Sequence, residues 1–238
     1  MNRQSNTYTI IYASVLVLVV GVVLSVVYQA LRPKQIENID NDTKRQILAA
    51  ARITPSEGHS IADLYAEHIK SSYIVDMAGK KTDSGVDPFK VNIGLESKKE
   101  ASERLLPVFE CTTDNGMKYI VPVYGAGLWG PIWGYVAFDA DGSTIYGAYF
   151  AHKGETPGLG AEIEKPAFSN EFIGKTVFKQ GVFMPVAVVK AGQKPSGNED
   201  YVDGISGGTI TSKGVSAMLS DCLTPYAAFL KNLSQKSN

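Results

Sequence analysis

Gly134-Tyr135-Val136-Ala137-Phe138-Asp139-Ala140-Asp141-Gly142-Ser143-Thr144-Ile145-Tyr146-Gly147-Ala148-Tyr149-Phe150 places two runs of aromatic and β-branched residues on either side of one Asp-Gly pair. Such runs suit a pleated surface, and aspartate and glycine tolerate the positive φ of a tight turn, so the stretch predicts a β-hairpin. Upstream, Lys118–Tyr124 has the same character and adds a strand. Downstream, Val182–Val189 reads as another, with Pro185 marking an edge or a bulge. Val215, Met218, Leu219, Cys222, Leu223 and Phe229 then recur at helical spacing, with Pro225 set to kink or end that helix.

Before the strands the period is helical. Ile36, Ile39, Ile47, Leu48 and Ala51 form one apolar series, and Ile61, Leu64, Tyr65, Ile69 and Tyr73 form a second, with Ser56, Glu57 and Gly58 as punctuation between them. From Gly79 to about Lys99 the chain is polar and reads as a loop or linker insertion. Helices, then strands, then a last helix define an α+β fold: a mixed domain with an antiparallel sheet and flanking helices.

The N-terminus stands apart. No charged side chain occurs between Arg3 and Arg32, and Ile10 to Leu31 is almost wholly apolar. At ~1.5 Å per residue this run spans roughly 33 Å as a helix, enough to cross a ~30 Å hydrocarbon core. A cleaved signal peptide is the competing reading. The run exceeds the usual ~7–15 residues of such a segment, so a single retained transmembrane helix is expected. Tyr8, Tyr12 and Tyr28 lie near its ends, where aromatic rings favour the interface. Counting Arg3 on one side against Arg32, Lys34, Lys44 and Arg45 on the other would keep the main domain cytoplasmic. The expected divisions are 1–32 for the anchor, 33–100 for a helical stalk and linker, and 101–238 for the main domain.

Composition removes several functions. With 23 basic and 24 acidic side chains the net charge is −1, which gives nucleic acid no basic face to bind. Two cysteines, Cys111 and Cys222, exclude a disulfide scaffold and cysteine-rich metal sites, and leave their own pairing open. His59, His68 and His152 fit no metal-ligand spacing, and no G-x-S-x-G, P-loop or strand-linked G-x-G-x-x-G occurs.

Two segments carry candidate chemistry. His152-Lys153-Gly154-Glu155-Thr156-Pro157-Gly158-Leu159-Gly160 follows a predicted strand, and its glycines let backbone approach a ligand or simply make a tight loop. Asp203-Gly204-Ile205-Ser206-Gly207-Gly208-Thr209-Ile210-Thr211-Ser212 opens the last helix. Thr211 or Ser212 is placed to cap that helix. The segment is either a capped helix with a pliable lead-in or a site where first-turn amides receive a phosphate.

Asp203, Ser206, Gly207 and Thr209 resemble the flavinylation signature Asp-x-x-Ser/Thr-Gly-Ala-Thr, with Gly208 in place of the usual alanine. The wider chain is similar to the C subunit (NqrC) of the sodium-translocating NADH:quinone reductase. The anchor, Gly127-Leu128-Trp129-Gly130, Gly134-Tyr135, the Glu155–Gly160 loop, Gly174-Lys175 and Asp203 through Ser212 carry the likeness. The G subunit of the Rnf complex shares the loop and the threonine motif. The Gly-Leu-Trp-Gly segment and the longer N-terminal half favour the sodium-pump subunit.

The resemblance implies FMN joined to Thr209 by a phosphoester that a flavin transferase makes. It implies that residues 101–238 are an FMN-binding domain. Ser206, Gly207 and Thr211 would surround the phosphate. Glu155, Thr156, Gly158, Leu159 and Gly160 would close over the ring system, and Trp129 would stack on it or serve as a core aromatic. The chain would be a single-pass protein of the bacterial inner membrane with its main domain in the periplasm, contrary to the charge count. Its partners would be the other subunits of a complex that moves electrons from NADH to ubiquinone and exports sodium. It would not be a catalyst alone. An anchored, non-redox interaction module is the reading left if the glycine turns are only structural.

Overall fold

The hairpin around Asp141-Gly142 is present in the computed structural model, which describes residues 6–55 and 58–236. Arg3, used in the charge count, and Ser56 and Glu57, expected to punctuate two helices, lie outside the described residues. The chain divides into two units, Met1–Thr43 and Lys44–Asn238.

Helix α1 (Asn6–Ala50) is 45 residues long and continues through Pro33, so it holds the apolar run and also Ile36, Ile39, Ile47 and Leu48 of the series after it, while Ala51 follows its end. Its apolar stretch is long enough to cross a membrane and has no buried side chain. Only its last turns, with Gln46, Ile47, Leu48 and Ala50, are buried.

In the second unit, α2 (Ile61–His68) starts at Ser60, whose hydroxyl accepts from the Asp63 amide. The helix ends earlier than its apolar spacing suggests, because Ile69 and Tyr73 belong to strand β1 (Ile69–Val75). That segment pairs antiparallel with β3 (Leu106–Thr113), and sheet pairing overrides a spacing compatible with either structure. Between them lie the two-residue β2 (Lys81–Thr82) and the one-turn α3 (Ile93–Glu96). The stretch read as stalk and linker supplies two strands of the sheet, β1 and β2.

Strands β4 (Gly116–Ala126), β5 (Pro131–Asp139) and β6 (Ile145–His152) complete an antiparallel sheet in the order β2-β1-β3-β4-β5-β6. At the β5–β6 turn only Gly142 takes a positive φ, +63°. Asp141 acts through its carboxylate, accepting from the Ser143 amide, the Thr144 amide and the Thr144 hydroxyl at 2.8, 2.9 and 2.6 Å.

Alternate residues of the strands serve two cores, as the two-residue period requires. Val108, Val121, Val136, Phe138 and Phe150 pack with the C-terminal helices on one face. Phe109, Ile120 and Ala137 meet Ile47, Ala50 and Ala51 on the other. Trp133 Nε1 donates to Gln46 Oε1 at 3.0 Å and ties the end of α1 to β5. Both cysteines are buried and free, Cys111 in the second core and Cys222 in the first, and burial pushes the Cys111 thiol up to about 11.

After the sheet come α4 (Pro166–Ser169), the hairpin of β7 (Phe178–Lys179) and β8 (Val182–Phe183), and the parallel pair β9 (Ala187–Val189) and β10 (Tyr201–Asp203). Val182–Val189 is thus not one strand. Pro185 cannot donate to a ladder, and the chain leaves one sheet before it and joins another after it. Helix α5 (Thr209–Leu223) is followed by a 3-10 turn at Thr224–Tyr226, which contains Pro225, and then by α6 (Ala227–Lys236).

Candidate functional site

Gly127-Leu128-Trp129-Gly130 is the tip of the β4–β5 hairpin, closed by Gly127 N–H donating to the Gly130 carbonyl at 2.8 Å. Trp129 is 69% exposed, so it is not a core aromatic. Its amide donates to Glu155 Oε1 at 2.8 Å. The other carboxylate oxygen, Oε2, accepts from the Thr211 hydroxyl at 2.5 Å, and both Glu155 and Thr211 are buried. One side chain therefore joins a hairpin tip, the loop after β6 and the first turn of α5.

That loop is built from its own backbone. The Thr156 carbonyl accepts from the amides of Leu159 and Ala161, both at 3.1 Å, and Glu162 Oε1 accepts from Gly158 N–H at 3.0 Å. The Glu155 amide donates to His152 Nδ1 at 3.0 Å, which makes the other ring nitrogen of a neutral imidazole the protonated one. Thr156, Gly158 and Leu159 are exposed, whereas Gly160 is buried. A Cβ on Gly160 would fall on Thr211 Oγ1 and Glu155 Oε2, so only glycine lets the loop sit on the helix here.

The threonine motif forms the turn from β10 into α5. Gly207 takes φ +75°, and a Cβ there would lie 2.6 Å from Leu159 Cδ2. The helix begins at Thr209, with Gly208 as N-cap and no side-chain cap bond. Thr211 and Ser212, expected to cap it, are instead inside its first turn and buried. Thr211 is drawn to Glu155, and Ser212 Oγ accepts from the Ile205 amide at 2.9 Å. The Thr211 hydroxyl is thus taken up by Glu155, while Thr209 and Ser206 are exposed.

Thr209, Ser206 and Gly207 line a cleft of about 460 Å³ together with Gly204, Ile205, Val188 and Val189. Lys190, Lys194 and Lys213 also line it, and none of the three belongs to a motif that the sequence displays. A signal exists for Lys213, four residues beyond Thr209 and so on the same side of a helix. The other two reach the cleft only through the β9–β10 pairing. Around the Glu155 tie, Leu128, Trp129, Leu159 and Ile210 present exposed apolar side chains. A hydroxyl in a lysine-lined cleft beside exposed apolar groups fits a cofactor with an anionic end and a flat apolar end.

Comparison with known proteins agrees with that fit. Residues 127–224, from the hairpin tip to just beyond the end of α5, match the FMN-binding domain family. The C subunit of the Na(+)-translocating NADH-quinone reductase from Vibrio anguillarum is 33% identical, covering 90% of this chain and 89% of that protein. Its counterpart from Pseudomonas aeruginosa is 32% identical, covering 98% and 97%. The crystal structure of the same subunit from Parabacteroides distasonis superposes with a TM-score of 0.77 at 50% identity, covering 84% of this chain and 96% of that one. The class is thus an FMN-binding domain behind a long apolar helix. More narrowly, the chain belongs to the family of the C subunits of Na+-translocating NADH-quinone reductases, the sodium-pump side of the two flavin-bearing resemblances.

Proposed function

We propose that this chain is a redox subunit of a sodium-translocating NADH:ubiquinone reductase and relays electrons through FMN held covalently at Thr209. The observation that carries the reading is the position of Thr209: an exposed hydroxyl at the first residue of α5, in a lysine-lined cleft, at the end of the Asp203–Thr209 motif. FMN supplies one- and two-electron redox chemistry, which the protein's own side chains lack.

The chain's residues bind and orient. Thr209 Oγ1 would be the acceptor: its bond to phosphorus would form as the phosphoanhydride bond of a flavin dinucleotide held by the flavin transferase breaks, with a nucleoside monophosphate leaving and the hydroxyl proton passing to the transferase. Amides of the first helical turn have no intrahelical partner and favour an anion at that end. Ser206 and Gly207 border the same cleft. Leu159, Ile210 and Trp129 offer apolar surface to the ring system, with Thr156 and Gly158 beside them on the loop. Glu155, Gly160 and Thr211 hold that loop against the helix. α1 anchors the chain in the bacterial inner membrane, with the main domain in the periplasm where the transferase acts. The other subunits of the complex donate and accept the electrons, and this chain does not complete the reaction alone.

Intact-mass analysis with peptide mapping of natively produced protein tests the reading. The expected result is the mass of FMN less one water, located on Thr209 and absent from Thr209→Val. An unmodified Thr209 in the native host overturns it. Reporter fusions after residue 50 test the orientation, and cytoplasmic reporter activity would contradict the periplasmic placement.

A further inference from the structure

His152 ends β6 opposite Ile132 of β5, and the Lys153 amide still donates to the Pro131 carbonyl at 3.0 Å before the chain leaves the sheet for the Glu155–Gly160 loop. The imidazole follows that departure. Its Nδ1 accepts from the Glu155 amide at 3.0 Å, and among the described residues this amide has no other acceptor. Glu164, at the end of the 3-10 turn Gly160–Glu164, holds the histidine from another side. Its Oε1 accepts from the His152 amide at 3.3 Å, and its Oε2 lies 3.8 Å from the ring's Nε2. A carboxylate there favours a proton on Nε2, which leaves Nδ1 bare to accept. The His152 side chain is only 15% exposed and Glu155 is buried, so little water reaches the bond. From the backbone fixed in this way the Glu155 carboxylate reaches the Trp129 amide and the Thr211 hydroxyl.

We propose that His152 is a positioning residue for the flavin, acting through Glu155: the neutral imidazole fixes the start of the loop and thereby where Trp129 and Leu159 stand against the ring system. The inference rests on the loop lying beside that ring system, as in the proposed function. Loss of the Nδ1 acceptor frees the Glu155 backbone and loosens both of its carboxylate bonds, with Glu155, Trp129 and Thr211 themselves unaltered. A protein tunes a bound flavin through the groups it holds near the ring, so the midpoint potential reports the change.

The experiment uses the full chain from its native host, with its flavin, in detergent. His152→Phe keeps a ring and removes the acceptor. His152→Asn removes most of the ring and sets an amide oxygen where Nδ1 stood. Midpoint potentials are measured by spectroelectrochemical titration beside Glu155→Ala. His152→Phe is expected to shift the potential in the same direction as Glu155→Ala, and His152→Asn to keep the parent value. A role in packing alone predicts the reverse order, because Phe is nearer to His in size. A shift in Glu155→Ala with none in His152→Phe, or a shift in His152→Asn as large as in His152→Phe, overturns the inference alone. A potential indifferent to Glu155→Ala and His152→Phe removes the loop from the ring environment, and the inference falls with it. Nitrogen NMR of the parent chain labelled in histidine, assigned through bonds to the His152 backbone, needs no variant to fold. At about pH 8, where an ordinary imidazole is neutral, His152 should carry its proton on Nε2. A proton on Nδ1 overturns the inference, since that nitrogen could not then accept the Glu155 amide.

Discussion

Thr209 and Thr211 stand two residues apart at the start of one helix and have opposite surroundings. Thr209 is exposed in the lysine-lined cleft, whereas Thr211 is buried and donates its hydroxyl proton to Glu155. At 3.6 residues per turn, a step of two carries a side chain more than half-way around the helix. One face of the turn is thereby free for a ligand, and the other fastens the loop and the hairpin tip that surround it. An exposed hydroxyl at this helix start depends on what the neighbouring turn holds elsewhere as much as on the residue itself.

The sharpest way to break this division is to treat the two threonines alike. Thr209→Val is expected to lose all covalent flavin, seen as absent fluorescence in a denaturing gel, with a melting temperature close to that of the parent. Glu155→Ala should leave attachment in place. It strips the acceptor from two donors, Trp129 N–H and the Thr211 hydroxyl. Each such loss costs about 1–3 kcal/mol, so chemical denaturation should register about 3 kcal/mol. The same variant should shift the flavin spectrum or redox potential, and an unaltered redox titration would remove the loop from the ring environment.

Thr211→Val keeps shape and removes one hydrogen bond to a carboxylate, for an expected loss of about 1–3 kcal/mol with flavin still attached. If Thr211→Val instead loses flavin as completely as Thr209→Val, the two faces are not distinct.

The smallest effect serves as a control at the far turn of β5. Burial raises the Asp141 carboxyl, but the hydroxyl and amide of Thr144, the Ser143 amide and Lys118 outweigh it, and its pKa falls below the ordinary 3.8. A lowered folded-state value means its stabilisation is complete above about pH 4 and disappears as pH falls through the folded value. Asp141→Asn should therefore flatten the acid limb of the stability curve below about pH 4 and leave flavin attachment unchanged.

How much of the fold and site is legible in the sequence varies with the range of the forces involved. The β5–β6 hairpin is readable because its signal is local: two strand-like runs and a glycine with the required φ. Ile69 and Tyr73 read as helix because they are four apart, and the deciding partner, β3, lies more than thirty residues away. Pro185 is conspicuous in the chain, but that it separates two different sheets depends on where Asp200 and Tyr201 return. A cap at Thr211 or Ser212 is what the local pattern favours. It fails because Glu155, fifty-six residues upstream, competes for the Thr211 hydroxyl.

The order of residues alone determined the apolar N-terminal helix, the α+β succession and the motif ending at Thr209, since each depends on neighbours within a few positions. Folding in three dimensions decided which of the motif's hydroxyls faces outward, which loop glycine touches the helix, and which lysines share the cleft. Those outcomes follow from burial and from hydrogen bonds between distant segments. Such bonds require the register of β4, β5 and β6 and the packing of α5 against the sheet.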